Sequence, residues 1–260
     1  MTMTSKVPNQ AEPAQVELVR SFFDQPQNYL ERKRFDMRIR AETTKSFLKG
    51  TSCTRIIDIG CGDGSVSLPL LSSDRQLTLL DISSTMLSRA RSSVPSSLSG
   101  NVEIRQEDFL RAPFENSSYD VVVCMGVLAH VTSPSNVVQK AAALLKPGGT
   151  LILECTDSKH FVRRLMTLPS AFLALFRPSE YKLNELTSEE VLGMAATHGL
   201  ELKAMFRYSW PPPGSQRIFS QELLYRMVRG VFGDVDHDRN QWLGFEHIFY
   251  LSRPSFRREA

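Results

Sequence analysis

The feature that most constrains this chain is a glycine run set directly behind a short apolar strand. Arg55-Ile-Ile-Asp-Ile59 reads as a buried strand, and Gly60-Cys-Gly62-Asp-Gly64 follows it without a spacer. Glycines there let the backbone turn tightly and approach a ligand where a Cβ would collide. Residues from there to 71 read as a helix. The alternation then repeats. Residues 77–80 form a second strand ending at Asp81, followed by a helix carrying Met86, Leu87 and Ala90. Residues 102–104 lead through Gln106-Glu-Asp-Phe-Leu110, and Tyr119-Asp-Val-Val-Val-Cys124 is a fourth strand. A helix over 136–145 is stopped by Lys146-Pro-Gly-Gly149, a structural turn, and residues 150–155 form a fifth strand. Strands apolar on both faces and separated by helices specify a parallel sheet covered on two sides.

Around this core, residues 49–156, the pattern is looser. Residues 1–14 read as a disordered leader. Residues 15–48 form a helical cap, with Val16, Val19, Phe22 and Phe23 at three- and four-residue steps and Pro26 dividing two helices. The second of these carries Tyr29, Arg32, Lys33, Arg34, Arg38 and Arg40, either a solvated basic face or a cover over a site. The remainder, 157–260, completes the sheet and adds helical insertions that form a lid. It holds an inserted helix over 158–177 and a helix begun by Thr187-Ser-Glu-Glu190 and ended near His198-Gly199. A strand over 200–208, a helix over 220–231 and a last strand over 246–251 complete it.

Spacing narrows the ligand. A dinucleotide loop has a third glycine where this chain has Ser65; here the glycines fall at 60, 62 and 64. Asp58 would repel a pyrophosphate and attract a sulfonium or ammonium group. The loop favours a cationic ligand tail. Asp81 lies about 20 residues past the glycines, where an acid can take both ribose hydroxyls.

With these residues in view, Asp58 to Gly64 resembles the first motif of the class I S-adenosylmethionine-dependent methyltransferases. Leu80-Asp-Ile-Ser-Ser-Thr-Met-Leu87 and Gln106-Glu-Asp-Phe109 look like that family's second- and third-strand motifs. Cys124-Met-Gly-Val-Leu-Ala-His130 and Leu144-Leu-Lys-Pro-Gly-Gly149 resemble its fourth and fifth. The resemblance covers about residues 50–156. It implies an α/β fold, a Rossmann-like seven-stranded mostly parallel sheet with helices on both faces and helical lid insertions. It implies S-adenosyl-L-methionine as cofactor and S-adenosyl-L-homocysteine as product. Asp58, Gly60, Cys61 and Gly62 would meet the cofactor's amino-acid end, Asp81 the ribose, and Ile82 and Met86 the adenine ring. Asp108 would accept from the adenine amine and the Phe109 amide would meet a ring nitrogen. Met125 and Gly126 would lie under the methionine portion.

Methyl transfer from a sulfonium is an in-line displacement, so alignment supplies much of the catalysis and a base is needed only if the acceptor loses a proton. His130 is the candidate base; the alternative is a histidine that only walls the pocket. The Asn/Asp-Pro-Pro-aromatic sequence of base-amine methylation is absent after the fourth strand, and aromatic residues are not interleaved with a basic stretch. The expected acceptor is a small molecule methylated on a hydroxyl, a saccharide or secondary metabolite among the candidates, since the segment from Trp210-Pro-Pro-Pro-Gly214 to Trp242-Leu-Gly-Phe-Glu-His247 is loosely similar to methyltransferases of bacterial saccharide and secondary metabolism. A non-catalytic cofactor-binding protein, an RNA methyltransferase acting with a partner, and an NAD-dependent reductase remain as alternatives. Net charge is +3, which permits an anionic partner without demanding nucleic acid. Cys53, Cys61, Cys124 and Cys155 form no C-x-x-C pair, so buried reduced thiols and no metal are expected. With no signal-peptide pattern and no apolar stretch of spanning length, the expectation is a soluble cytoplasmic protein.

Overall fold

The computed structural model describes residues 11–25, 33–166, 183–212, 214–237 and 239–255. Two helices come first, α1 (Ala11–Phe23) and α2 (Arg34–Phe47). The strands and helices that follow are β1 (Arg55–Ile59), β2 (Gln76–Asp81), α3 (Ser84–Ser93), β3 (Val102–Gln106), β4 (Tyr119–Cys124), α4 (Pro134–Leu144) and β5 (Leu145–Thr156). The chain closes with α5 (Ser188–Thr197), β6 (Glu201–Tyr208), α6 (Gln221–Phe232) and β7 (Glu246–Ser252). The strands form one sheet in the order β3-β2-β1-β4-β5-β7-β6. Only β7 runs against its neighbours. Strand order reverses between β1 and β4, and open α/β sheets bind ligands at the carboxyl ends beside such a switch.

Each face of the sheet buries one apolar layer. On one side Ile56, Val121, Val123, Ile152, Phe206 and Ile248 pack with Phe35, Ile39 and Phe47 of α2 and Leu224, Val228 and Phe232 of α6. On the other, Ile57, Ile59, Val122, Leu151, Leu153 and Phe249 pack with Val137, Val138 and Ala141 of α4 and Val191 and Ala195 of α5. This is why the central strands are apolar at successive positions: each residue meets a helix whichever way it points.

Local signals set the helix ends. Thr187 and Glu190 form a reciprocal capping box at the start of α5, which stops at Thr197 before His198 and the left-handed Gly199. Ser83 caps α3 by accepting from the Met86 N–H. Three expectations change. First, α1 begins at Ala11, inside the stretch 1–14 expected as leader; residues 1–10 lie outside the described residues. Second, the segment after the glycine loop is not a regular helix. It makes turns and a short 3-10 stretch, Leu68–Leu70, because Gly64 at φ 77° and Pro69 leave too few residues between them for helical propagation. Third, Lys146-Pro-Gly-Gly149 belongs to β5 with a register irregularity against β4. There the Gly148 N–H donates to Arg253 O (2.8 Å) and the Lys146 ammonium pairs with Asp120 Oδ1 (2.7 Å). Of the inserted helix expected over 158–177, residues 161–166 are helical and 167–177 lie outside the described residues. All four cysteines are buried and free. No helix among the described residues is long and apolar enough to cross a membrane.

Candidate functional site

A cavity opens at the carboxyl ends of β1, β2 and β4, beneath α1. Asp58, Gly60, Cys61, Gly62, Asp81, Ile82, Met86, Asp108, Phe109, Met125, Gly126 and His130 all line it. The glycine loop is fastened to the next strand, since the N–H groups of Gly60 and Cys61 both donate to Leu80 O (2.8 and 3.0 Å). Gly60 sits at φ 66°, and a Cβ there would lie 2.5 Å from Val127 Cγ2, so no other residue fits without moving β4's exit. At Gly62, φ 55°, a Cβ would meet nothing within 4 Å: its outward face is open space.

Asp81 anchors the loop from the other side. Its Oδ2 accepts from the Gly62 N–H and its Oδ1 from the Ser83 N–H, each at 2.9 Å. Burial pushes its pKa up, and these amides work against that shift. Asp58 is 2% exposed and its Oδ2 has no hydrogen-bond partner. Burial, opposed by the Ser67 hydroxyl and reinforced by Asp81 and Asp63, pushes its pKa up to about 7. A buried carboxylate with an orphaned oxygen needs a donor or a cation. Asp108 turns back on its own chain, with Oδ1 accepting from the Leu110 N–H (2.9 Å). Phe109 is buried, and Lys140 Nζ donates to its carbonyl (2.6 Å). His130 meets the Phe23 ring edge-on at 5.2 Å. Burial first, then Lys33 and Arg40, hold its pKa down at about 4, so the imidazole is neutral at physiological pH.

The structure adds residues of the helical cap, among them Arg40 from the basic stretch that the sequence left open between a solvated face and a cover over a site. Met37 and Arg40 of α2 and Val16, Val19 and Phe23 of α1 line the same cavity. Arg40 is buried at 4% exposure. Its Nε donates to Glu154 Oε1 (2.8 Å) and its Nη2 lies 3.3 Å from Asp36 Oδ2. The Tyr208 hydroxyl donates to Asp36 Oδ1 (2.6 Å) and lies 3.3 Å from Glu154 Oε1. Gly126, φ 68°, is the point where this network reaches the cavity: a Cβ there would come within 3.3 Å of Arg40 Nη1. The signal available in the sequence was the periodicity of α2, which places Asp36 and Arg40 four residues apart on the face of Ile39 and Thr43.

Comparison with known proteins agrees with this architecture. Residues 57–153 match the family model described as a methyltransferase domain. A ubiquinone biosynthesis O-methyltransferase of Xanthomonas campestris pv. campestris is 33% identical over 125 residues, 48% of this chain and 52% of that enzyme. The chain thus spans about half the length of the curated relatives it matches. Among solved structures, a possible histamine N-methyltransferase of Thermotoga maritima superposes with a TM-score of 0.64 at 16% identity, over 92% of this chain and 99% of that one. Magnesium protoporphyrin IX methyltransferase of Synechocystis, with bound S-adenosylhomocysteine, gives 0.62 at 16% identity over 92% and 99%. At such identities these two show the fold. The family match over residues 57–153 favours the methyltransferase reading over the nicotinamide reductase. Residues 57–153 thus match a methyltransferase domain, within a fold shared with S-adenosylmethionine-dependent methyltransferases of known structure.

Proposed function

We propose that this chain transfers a methyl group from S-adenosylmethionine to a hydroxyl of a small-molecule acceptor. The observation that carries the reading is Asp58. A buried carboxylate with an unpartnered oxygen, in a cavity lined by an open glycine turn, fits the cofactor's ammonium group and no anionic one. Around it Gly60, Cys61 and Gly62 offer backbone to the amino-acid end, and Arg40 faces the carboxylate of that end. Asp81 takes the ribose hydroxyls, Ile82 and Met86 flank the adenine, and Asp108 with the Phe109 amide reads its edge. Met125 and Gly126 floor the methionine portion. Bound there, S-adenosylmethionine supplies an electrophilic methyl group for in-line displacement.

His130 stands at the same cavity as a neutral imidazole and takes the acceptor's hydroxyl proton during transfer. Oxygen acceptors are favoured by the curated relatives, which are named as O-methyltransferases. A saccharide or similarly hydroxylated metabolite is supported by an aromatic shelf at the carboxyl edge of the sheet. There the exposed Phe161 and Trp242 rings stack at 6.0 Å and 17°, offering flat apolar faces. Calorimetric titration with S-adenosylhomocysteine tests the cofactor assignment, with micromolar binding expected. Absence of binding at high ligand concentration, in protein shown to be free of cofactor, would remove it. Transfer of labelled methyl to hydroxylated acceptors then tests the acceptor class.

A further inference from the structure

The cofactor cavity does not account for the chain's charge. A second cleft opens at the opposite end of the sheet, before β1 and β2, between the C-terminal halves of α2 and α6. Among the described residues its lining carries Lys45, Lys49, Arg75, Arg229 and Arg239 against two carboxylates, Glu42 and Asp234. Among the described lining residues the cations outnumber the carboxylates by three.

Both carboxylates are already engaged. Glu42 accepts from the Tyr225 hydroxyl (2.8 Å) and pairs with Arg38 (2.9 Å) and Arg229 (2.8 Å). Asp234 accepts from the N–H groups of Asp236 (3.0 Å) and His237 (2.7 Å) and pairs with the His237 ring (3.1 Å). Lys45, Lys49, Arg75 and Arg239, by contrast, pair with no carboxylate among the described residues. Basic residues in the last turn of a helix are ordinarily explained by the helix dipole, and α2 and α6 both end here. Two helix ends together contribute about one negative charge. Close to two positive charges of the described lining remain, partly offset by Asp74 beside Arg75, and Arg75 and Arg239 belong to neither helix.

Two of the cations, Arg75 and Arg229, are held through their side chains, whereas Lys45, Lys49 and Arg239 are exposed. Arg75 Nη1 donates to Leu70 O (2.9 Å), while its Nε is buried without a partner. The loop after α6 is fixed by Gly233, φ 72°, where a Cβ would lie 1.9 Å from His237 O. Its ends are tied by the Gly233 N–H to Arg229 O (2.8 Å) and the Arg239 N–H to Phe232 O (3.3 Å).

We propose that this cleft is a second binding site, for a small molecule carrying two or more phosphate groups. Cations from α2, the β2 approach, α6 and the loop after it converge on one concavity, which suits a compact polyanion better than an extended one. Guanidinium forks match phosphate oxygens, and a single carboxylate would answer only part of the excess charge. The site is separate from the cofactor cavity, and the two share no lining residue.

The test is calorimetric titration of the full chain with sodium tripolyphosphate at low ionic strength. Saturable one-to-one binding in the micromolar range is expected, weakened tenfold or more in Lys49→Glu/Arg239→Glu. The comparison variant Arg89→Glu/Arg91→Glu makes the same charge change on the exposed side of α3 and should bind as the parent does. Thermal unfolding of each variant confirms that it is folded. Absence of saturation overturns the proposal. So does an equal loss in the α3 variant, which would reduce the effect to bulk charge. Binding seen only with single-stranded RNA, and growing with its length, would replace it with a nucleic-acid surface.

Discussion

At Asp58 the carboxyl is buried, its Oδ2 lacks a partner, and its pKa rises from 3.8 to about 7. Such a group titrates in the unfolded chain near pH 4 but holds its proton in the folded one until about pH 7. Over that window the folded state binds more protons, so stability falls as pH rises, by up to about 1.4 kcal/mol per pH unit. Asp58→Asn should therefore be more stable than the parent at pH 8, by on the order of 2–4 kcal/mol, with the gap closing toward pH 4. Urea unfolding at the two pH values measures this, and a gap independent of pH would remove the assignment. An ammonium group bound beside Asp58 favours its charged form, so affinity for S-adenosylhomocysteine should weaken as pH drops below about 7 and binding should release a proton. His130 titrates lower. If it is the base, His130→Ala keeps cofactor affinity and loses turnover by about 10²–10⁴-fold. The acid limb due to His130 in the parent's turnover profile, at saturating cofactor, should lie near pH 4 rather than 7. Full activity in His130→Ala would make it a wall residue. Both residues were legible because each lies within a few positions of a strand end. Arg40 was not: in sequence it is one of several basic residues on a helix, and only its tertiary burial distinguishes it.

The strands and most helices were legible for a related reason, since period and caps are local properties. Ser220 before α6 and the Thr187–Glu190 box are examples. What α1 covers was not, because its apolar stripe is compatible with any apolar partner. In the structure Val16, Val19 and Phe23 face the cavity, and two contacts at the end of α1 hold it there. The Ser83 hydroxyl donates to Asp24 Oδ1 (2.5 Å), and the Phe23 ring meets His130. Ser83 also caps α3 and gives its N–H to Asp81, so the latch ends at Asp81 on the cavity wall. If α1 acts as a lid, Asp24→Ala should speed release of S-adenosylhomocysteine about tenfold, the scale of one charge-assisted hydrogen bond. The melting temperature should barely change, because the latch lies outside the two apolar layers. Stopped-flow displacement measures the rate; an unchanged rate, with the variant folded, would make α1 a static part of the wall.

Across the whole molecule, α2 joins the cap, the sheet and the cavity through one buried charge network. Asp36 and Arg40 from α2 meet Glu154 of β5 and Tyr208 of β6, on the side of the sheet that α6 also covers. Burial raises the Glu154 carboxyl's pKa, with Arg40 opposing the shift. Removing the cation alone leaves two carboxylates buried without it, so Arg40→Met should cost about 3–5 kcal/mol of stability. That loss would by itself weaken ligand binding and hide any direct role of the guanidinium. Neutralising the partners separates the two effects. Arg40→Met/Asp36→Asn/Glu154→Gln removes the uncompensated charges and should recover much of the stability in urea unfolding. Its affinity for S-adenosylhomocysteine should nevertheless stay well below the parent's, because the cationic wall of the cavity is gone. If the triple variant binds like the parent, Arg40 serves the fold alone. If the single variant is as stable as the parent, the network does not hold α2 to the sheet, and the apolar layer of Phe35, Ile39 and Phe47 suffices.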